Sequence, residues 1–294
     1  MFYVVKNQAL IFIKKKENIM KKKISFLAII SFLFFSSCQD VIELEVPDGE
    51  VLLIVDGWLT DEVGEKQVLL STTANYFDNS IAPKVENAMV VLFDENGAVD
   101  TLVESTPGKY VTSYQGVVGE NYHIYIQTIS GEEYESNPEM LKFVSTITGL
   151  YSEFKEETTF EEEGYYVSID TEEPLGTGDF YRWKQYVNDT LLAEPFDFLL
   201  ASDEFVDGNP IIGLDVTTEP LELGDNYRIQ QLSISEEAYE FFRQLQTQTA
   251  NVGSLFDSPP AALPGNMVPV NSTDKNVLGY FGVSAVSEIG MVVE

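Results

Sequence analysis

The sequence predicts a mainly β protein, with an N-terminal β-sandwich followed by a second β-rich domain that contains one helix. Short apolar runs alternate with turn-forming pairs such as Asn96-Gly97 and Ser130-Gly131, at intervals that suit hairpins. Apolar residues at helical spacing stand out in one segment, near residue 240. Several short strands with regular turns are typical of a two-sheet sandwich of the immunoglobulin-like or prealbumin-like type.

The first domain is expected over residues 51–145. Its strands are predicted at 51–55, 67–71, 89–93, 109–114 and 122–128. In the last of these, Tyr122, Ile124 and Ile126 fall on one face and the residues between them on the other. A sandwich has no chemistry of its own, so this domain predicts a scaffold and not an activity.

The second domain is expected over residues 146–294. Its strands are predicted at 165–169, 180–187, 211–216 and 226–234. A helix is predicted near 236–250. Ser233 and Glu236 have the spacing of a capping box, and apolar residues recur at helical spacing from Ala238 to Leu245. We expect this apolar stripe to pack into the core.

The first part of the chain resembles an export signal. Three lysines at 21–23 precede an apolar run from Ile24 to Phe35, and the run stops at Ser-Ser-Cys, residues 36–38. A basic start, a short apolar run and small residues are the three parts of a signal peptide, and a membrane span needs about 20 residues. The ending resembles a bacterial lipobox, with Phe35 where Leu is usual. Cys38 is therefore expected to carry a lipid anchor, and a free cysteine after a chance apolar stretch is the alternative.

Residues 1–37 are interpreted as signal peptide and 38–50 as a lipidated tether. Residues 1–19 precede the basic start and are expected to be a non-native extension from a misassigned start site. Removing residues 1–37 takes seven lysines and one glutamate from the 17 basic and 48 acidic residues, which leaves a formal charge of -37. Such a charge repels nucleic acid, which is therefore not an expected partner.

The sequence does not favour an enzyme. His123 is the only imidazole and Cys38 the only thiol, which excludes zinc fingers, disulfide scaffolds and most imidazole-based catalysis. His123 falls among tyrosines in a predicted strand, where a packed or solvent-facing side chain is the ordinary outcome. Paired carboxylates are uninformative in so acidic a chain, so a carboxylate-dependent hydrolase is kept as a weaker alternative.

An acidic turn at Asp203, Glu204 and Asp207 is the candidate metal site. Carboxylate oxygens suit calcium, although the spacing departs from that of an EF-hand, and a solvated turn is the alternative. No other cofactor is expected.

The stretch 256–270 combines four prolines with apolar side chains. The prolines prevent it from continuing a helix or joining the middle of a sheet, and a stiffened segment loses little entropy when a partner covers it. Phe256, Leu263 and Met267 are therefore candidates for partner docking. The alternative is that these side chains cap the core of the second domain.

Two Asp-Thr-Leu tripeptides, at 100–102 and 189–191, resemble a sequon at which some Gram-negative bacteria O-glycosylate exported proteins. Thr101 and Thr190 are the candidate acceptors, because both follow turn signals that favour exposure.

Six stretches of the sequence together resemble a known family. They are Gln-Asp-Val-Ile-Glu-Leu after Cys38, Leu-Ile-Val-Asp-Gly-Trp-Leu-Thr-Asp at 53–61, Tyr-Arg-Trp at 181–183, Phe-Asp-Ser-Pro-Pro-Ala at 256–261, Gly-Asn at 265–266 and Leu-Gly-Tyr-Phe at 278–281. In this order and spacing they are similar to the Gram-negative surface-lipoprotein family catalogued as domain of unknown function 4249. The similarity covers essentially the whole chain after Cys38.

The resemblance implies an outer-membrane lipoprotein, anchored by lipid and exposed at the cell surface. Members are often encoded beside TonB-dependent receptors, and the family has no established activity or catalytic residue. The leading hypothesis is therefore a non-catalytic lipoprotein that assists a TonB-dependent outer-membrane transporter in ligand capture or gating. A structural or adhesive β-module at the cell surface is the main alternative.

Replacing Cys38 with Ala should move the protein from the membrane fraction to a soluble or uncleaved form. The reason is that no apolar run in the rest of the sequence is long enough to span a membrane. Membrane fractionation followed by intact-mass measurement tests this. A Cys38→Ala protein that stays in the membrane fraction as the processed chain would contradict the prediction.

Overall fold

The computed structural model describes residues 50–294 apart from 75–81, 160, 251–262, 264 and 272–275. The predictions for the signal peptide, Cys38 and Phe256 lie outside the described residues. The described part contains nineteen strands and one α-helix, which confirms the predicted mainly β fold.

The strands are short, and many pair with their neighbours in sequence. In chain order they are β1 Leu53–Thr60, β2 Lys66–Thr72, β3 Met89–Asp94, β4 Gly97–Thr101, β5 Val103–Thr106, β6 Lys109–Thr112, β7 Asn121–Gln127, β8 Glu133–Ser136, β9 Glu139–Met140, β10 Gly149–Lys155, β11 Gly164–Glu172, β12 Phe180–Val187, β13 Thr190–Leu191, β14 Leu199–Ser202, β15 Pro210–Asp215, β16 Asn226–Ile234, β17 Met267–Pro269, β18 Val277–Ser284 and β19 Val286–Val292. The helix, α1, spans Glu236–Ala250, and a 3₁₀ turn spans Pro195–Asp197.

Two sheets form the sandwich predicted for the first domain. One has the strand order β18-β1-β2-β6-β5, and the other has the order β17-β8-β7-β3-β4, with β9 paired to β7. Because side chains alternate along each strand, Val55 and Leu70 of one sheet and Leu92 and Ile124 of the other are buried in the same hydrophobic cluster. The predicted β-sandwich is thereby confirmed.

Two further sheets extend this core. Their strand orders are β10-β11-β15 and β13-β12-β16-β19, with β14 also paired to β12. Val167 of β11, Trp183 of β12 and Ile229 of β16 belong to the same buried cluster as the sandwich residues. One hydrophobic core therefore connects all four sheets.

The expected domain boundary at residues 145 and 146 separates strands that pair with each other. β18 lies parallel to β1, from the pair Leu53 and Val277 to the pair Thr60 and Ser284, and β17 lies antiparallel to β8. Gly49–Glu294 accordingly form one compact unit. Pairing across 224 residues leaves no trace in a local pattern, so the sequence pattern suggested two domains.

Most predicted strands lie where the structure has them. β12 and β16 have the predicted bounds. Tyr122, Ile124 and Ile126 of β7 are buried, and the residues between them are only partly covered, as the alternation predicted. The pattern missed β18 because six of its eight residues, on both faces of the strand, are buried, so no alternation marks it.

The helix has its predicted bounds, but the residue predicted to cap it was wrong by two positions. Ser235, not Ser233, is the N-cap, since its Oγ accepts the backbone N–H of Ala238 at 3.0 Å. Ser233 is still part of β16, and its Oγ donates to the carbonyl of Lys142 at 2.7 Å. The apolar stripe is in the core as expected, with Ala238 and Phe242 buried.

A buried carboxyl joins the start of α1 to β18. Glu139 Oε1 accepts hydrogen bonds from Ser235 Oγ at 3.0 Å and from the hydroxyl of Tyr280, whereas Oε2 has no partner among the described residues. Burial raises the pKa of Glu139 to about 7, against the opposing effect of these two hydrogen bonds, and the nearby Glu237 adds to the rise.

The stability of the protein should therefore fall as the pH rises from 5 to 8. An unfolded glutamate is ionised above its ordinary pKa of 4.5, whereas folded Glu139 keeps its proton until about pH 7. The folded state thus holds the extra proton in this window, and its advantage is lost as the pH rises through 7. Glu139→Gln is neutral throughout and should gain about 2 kcal/mol relative to the wild type between pH 5 and 8.

Urea unfolding at several pH values measures this difference. Glu236→Gln, an exposed acid at the start of the same helix, controls for the change in net charge. Wild-type and Glu139→Gln stabilities that run parallel from pH 5 to 8 would show that Glu139 does not hold the proton.

Candidate functional site

An open groove of about 630 Å³ is the candidate functional site. It is lined by the outward-facing residues of β1, by β12 and β16, by one side of α1 and by Tyr280 of β18. β1 contributes Ile54, Asp56 and Trp58, because its alternate residues point into the sandwich core. Binding sites are concave surfaces of this kind, largely apolar with a few polar groups.

Aromatic side chains form one end of the groove. The Trp58 ring lies 5.6 Å from the ring of Phe242 and 6.2 Å from that of Tyr280, and Phe241 lies 5.0 Å from Tyr280. Trp58 Nε1 donates to Ser284 Oγ at 2.9 Å, which fixes the indole in place. The aromatic end is therefore a set of rigid ring faces built from β1, β18 and α1.

Two basic side chains of β12 line the groove beside these rings. Trp183 of β12 is buried in the core, whereas Arg182 and Lys184 on the opposite face are partly covered and point to the groove. The guanidinium carbon of Arg182 lies 4.0 Å from the centre of the Phe242 ring and 5.1 Å from that of Phe198. These distances correspond to cation–π stacking.

Neither cation has a close acidic partner in the part of the chain that the structure describes. The Nε of Arg182 is buried without a hydrogen-bond partner among those residues. Burial lowers the pKa of Arg182 to about 10. Burial, and secondly the charge of Arg182, lower the pKa of Lys184 to about 8, although Asp56 and Glu62 oppose this.

The remaining charges in the groove are of both signs. Lys66 Nζ donates to the carbonyl of Gly64 at 3.1 Å and to that of Glu62, so its donors are already engaged by backbone. Burial raises the pKa of the Glu62 carboxyl, and the nearby Glu288 and Asp61 add to the rise. Asp56 is exposed at the mouth of the groove.

Most basic residues after Cys38 either pair with an acid or line this groove. From Cys38 onward there are ten lysines and arginines. Five of them pair with acids at 2.7 to 3.9 Å, namely Lys109, Lys142, Lys155, Arg228 and Arg243. Three of the other five line the groove: Lys66, Arg182 and Lys184. The groove therefore brings three basic residues together with three acids, Asp56, Glu62 and Glu65, in a strongly acidic protein.

The predicted acidic turn does not form the predicted ligand set. Asp203 is buried, and its carboxylate lies together with those of Glu173 and Asp179, with ligand atoms within 4.8 Å of one another. Glu204 is exposed, and Asp207 Oδ1 instead accepts the N–H of Gly176 at 2.7 Å. The sequence pattern missed Glu173 and Asp179 because they are 24 or more residues away from Asp203 along the chain.

These carboxylates hold two loops together, residues 173–179 and 203–209, which we call the double loop. Asp203 Oδ2 accepts the N–H groups of Gly178 and Asp179 at 2.7 and 3.1 Å, and Gly208 N–H donates to the carbonyl of Pro174 at 3.3 Å. These hydrogen bonds explain why Asp203 is buried between the two loops, so its position does not require a bound metal ion.

The predicted docking residues that the structure describes differ in how far they are buried. Met267 is buried in the main core cluster, but it lies in β17 beside β8 of the sandwich and does not cap the core of the predicted second domain. Leu263 is partly buried. The two candidate glycosylation acceptors, Thr101 and Thr190, are both exposed.

The single histidine lies away from the groove. The His123 ring stacks on Phe93 at 5.0 Å, and its Nε2 lies 3.1 Å from Glu135 Oε1. The sequence prediction that this side chain is packed in a strand is consistent with these contacts.

Comparison with known families identifies the chain. The model of the family described as "Domain of unknown function (DUF4249)" matches residues 39–289, so the chain belongs to this family. A search of curated proteins gave no match. Among the described residues, no helix is both long and apolar enough to cross a membrane.

The Lys184 amine should titrate near pH 8, because burial and the neighbouring Arg182 disfavour its cation. Reductive methylation with ¹³C-formaldehyde followed by NMR gives one titrating signal for each lysine, and the signal that disappears in Lys184→Met identifies this residue. A midpoint above pH 10 for the identified signal would show that the amine is fully solvated.

Proposed function

We propose that this DUF4249 protein is a non-catalytic surface lipoprotein that captures a small ligand for a TonB-dependent outer-membrane transporter. The observation that carries this proposal is the groove, in which rigid ring faces and two cations without close acidic partners line an open cavity. Aromatic rings and cations left at an open cavity add little to the stability of the fold, whereas a ligand site needs both kinds of group.

The chemistry of the groove supports binding more than catalysis. Its lining combines aromatic rings, amides and charged side chains but contains no Ser, Cys or His that would act as a nucleophile with a base. Arg182 and Lys184 are suited to holding an anionic group in place. A carboxylate-dependent hydrolase would have to act through the acids of the same groove, of which Glu62 has a raised pKa.

The family resemblance and the predicted lipid anchor both suggest a transporter of the outer membrane as the partner. A tether of about a dozen residues would keep the folded part near the membrane, since an extended chain covers about 3.3 Å per residue. A receptor in the same membrane is then within reach of the groove.

We expect the contact with the transporter at the tip of the double loop. Leu175 and Phe205 are exposed there at 89% and 88%, on backbone that the hydrogen bonds to Asp203 and Asp207 make rigid. Exposed apolar side chains that lie together favour an interaction site, and a pre-organised backbone loses little entropy on binding.

The native lipoprotein, tagged and purified gently from detergent-solubilised membranes, should bring down a β-barrel receptor identified by mass spectrometry. Leu175→Ser with Phe205→Ser should lose the receptor, because the apolar anchors of the contact are gone, without a change in melting temperature. Val63→Ser, which alters an apolar side chain that is 89% exposed elsewhere, should retain it.

The outcomes separate the candidate functions. A wild-type protein that brings down no barrel contradicts the proposal and favours the structural or adhesive alternative. Turnover of a glycosidic or ester substrate that is lost on single Asp or Glu changes would favour the hydrolase.

A further inference from the structure

We infer that the groove recognises an organic anion, namely a ligand with one carboxylate or a similar anionic group on a flat apolar body. This inference rests on the proposed capture function and names its ligand class. It is carried by the position of Arg182 and Lys184 beside the aromatic end of the groove.

The two cations lie on the same face of β12. They are two residues apart on β12, so their Cβ atoms are separated by about 7 Å on the same face of the sheet. Both line the groove. An anionic group between their long side chains is therefore within reach of the guanidinium and the ammonium together, and a carboxylate accepts a forked pair of hydrogen bonds from arginine.

Neither cation forms an ion pair among the described residues, although the charge of Asp56 acts on both of them and that of Glu62 acts on Lys184. In the same part of the chain, the Arg182 Nε–H is buried without an acceptor. Arg228 on the neighbouring strand shows the contrasting arrangement, because its guanidinium also stacks on a ring, that of Tyr186 at 3.7 Å, but is paired with Glu288 at 2.7 Å. A ligand anion at the guanidinium of Arg182 would play the part that Glu288 plays for Arg228.

The rest of the ligand is specified by the aromatic end. The faces of Trp58 and Tyr280, which are stacked at 6.2 Å, offer contact to a flat apolar group. Asp56 and Glu62 also line the groove and disfavour a second negative charge on the ligand. The ligand class is therefore a monoanion with a ring system or another flat apolar portion.

Isothermal titration with 2-naphthoate and its neutral counterpart 2-naphthamide tests this inference on the mature protein. The two probes share one ring system and differ in charge. We expect 2-naphthoate to bind at least about tenfold more tightly, the difference that a hydrogen-bonded charge pair gives over a neutral one. Lys184→Met and Arg182→Met should each reduce this preference, while the affinity for 2-naphthamide stays within about twofold.

Arg228→Met is the matched control, since it removes a stacked arginine from the same sheet outside the groove, and it should leave the preference unchanged. If Arg182→Met lowers the melting temperature, Arg182→Lys is used instead. Lysine keeps the positive charge but cannot donate the paired hydrogen bonds of a guanidinium, so the preference for 2-naphthoate over 2-naphthamide should still fall.

Three outcomes would overturn the inference: equal affinity for the two probes, no binding of either, or a preference that survives both substitutions in β12. Equal affinity would leave ligand capture itself standing for a neutral ligand. The receptor pull-down is independent of these titrations, so its failure would be distinguished from failure of the anion site.

Discussion

The pairing of β1 with β18 is the constraint on which the groove depends. It is the one parallel pairing among the described strands, and it continues for eight residues along both. It places Trp58 opposite Gly282, where any side chain would collide with the indole, since a Cβ atom there would lie 2.2 Å from the ring. Tyr280 of the same strand stacks on this indole and donates to Glu139 of β9, which also accepts from Ser235 at the start of α1. The sandwich, the helix α1 and the aromatic end of the groove are therefore connected through β18.

Close backbone packing around β18 explains two stretches that carry the family resemblance. Gly279 has φ +94°, and a Cβ atom there would lie 1.8 Å from the carbonyl oxygen of Val55, so only glycine fits. Asn266 uses its whole side-chain amide on Phe281, donating to its carbonyl at 2.7 Å and accepting its N–H at 2.9 Å. The Gly-Asn and Leu-Gly-Tyr-Phe stretches, which are separate in sequence, thus meet at one junction.

Sequence reasoning succeeded where the determining contacts are local. Alternation predicted β7, the local pattern predicted strands at β12 and β16, and helical spacing predicted α1, because burial of one face leaves a periodic signal. The groove was not predicted, although the basic residues that line it were visible: Arg182 and Lys184 alternate with Trp183, a pattern that indicates two faces without showing what covers either. Glu173 and Asp179 lie beside Asp203 because two loops pack together. No motif with fixed spacing could have linked residues so distant in sequence.

The long separation of β1 and β18 also has a consequence for how the chain reaches its folded state. Contacts between residues that are distant in sequence form slowly, since the entropy of closing the intervening loop is lost before the contact stabilises anything. β1 acquires its second neighbour only when residues 277–284 are present. A chain that crosses a membrane from its N-terminus onward would therefore remain without its central sheet pairing until almost all of it had been delivered. If the proposed signal peptide directs export, this topology would favour folding after export, because the central sheet is complete only once β18 is present.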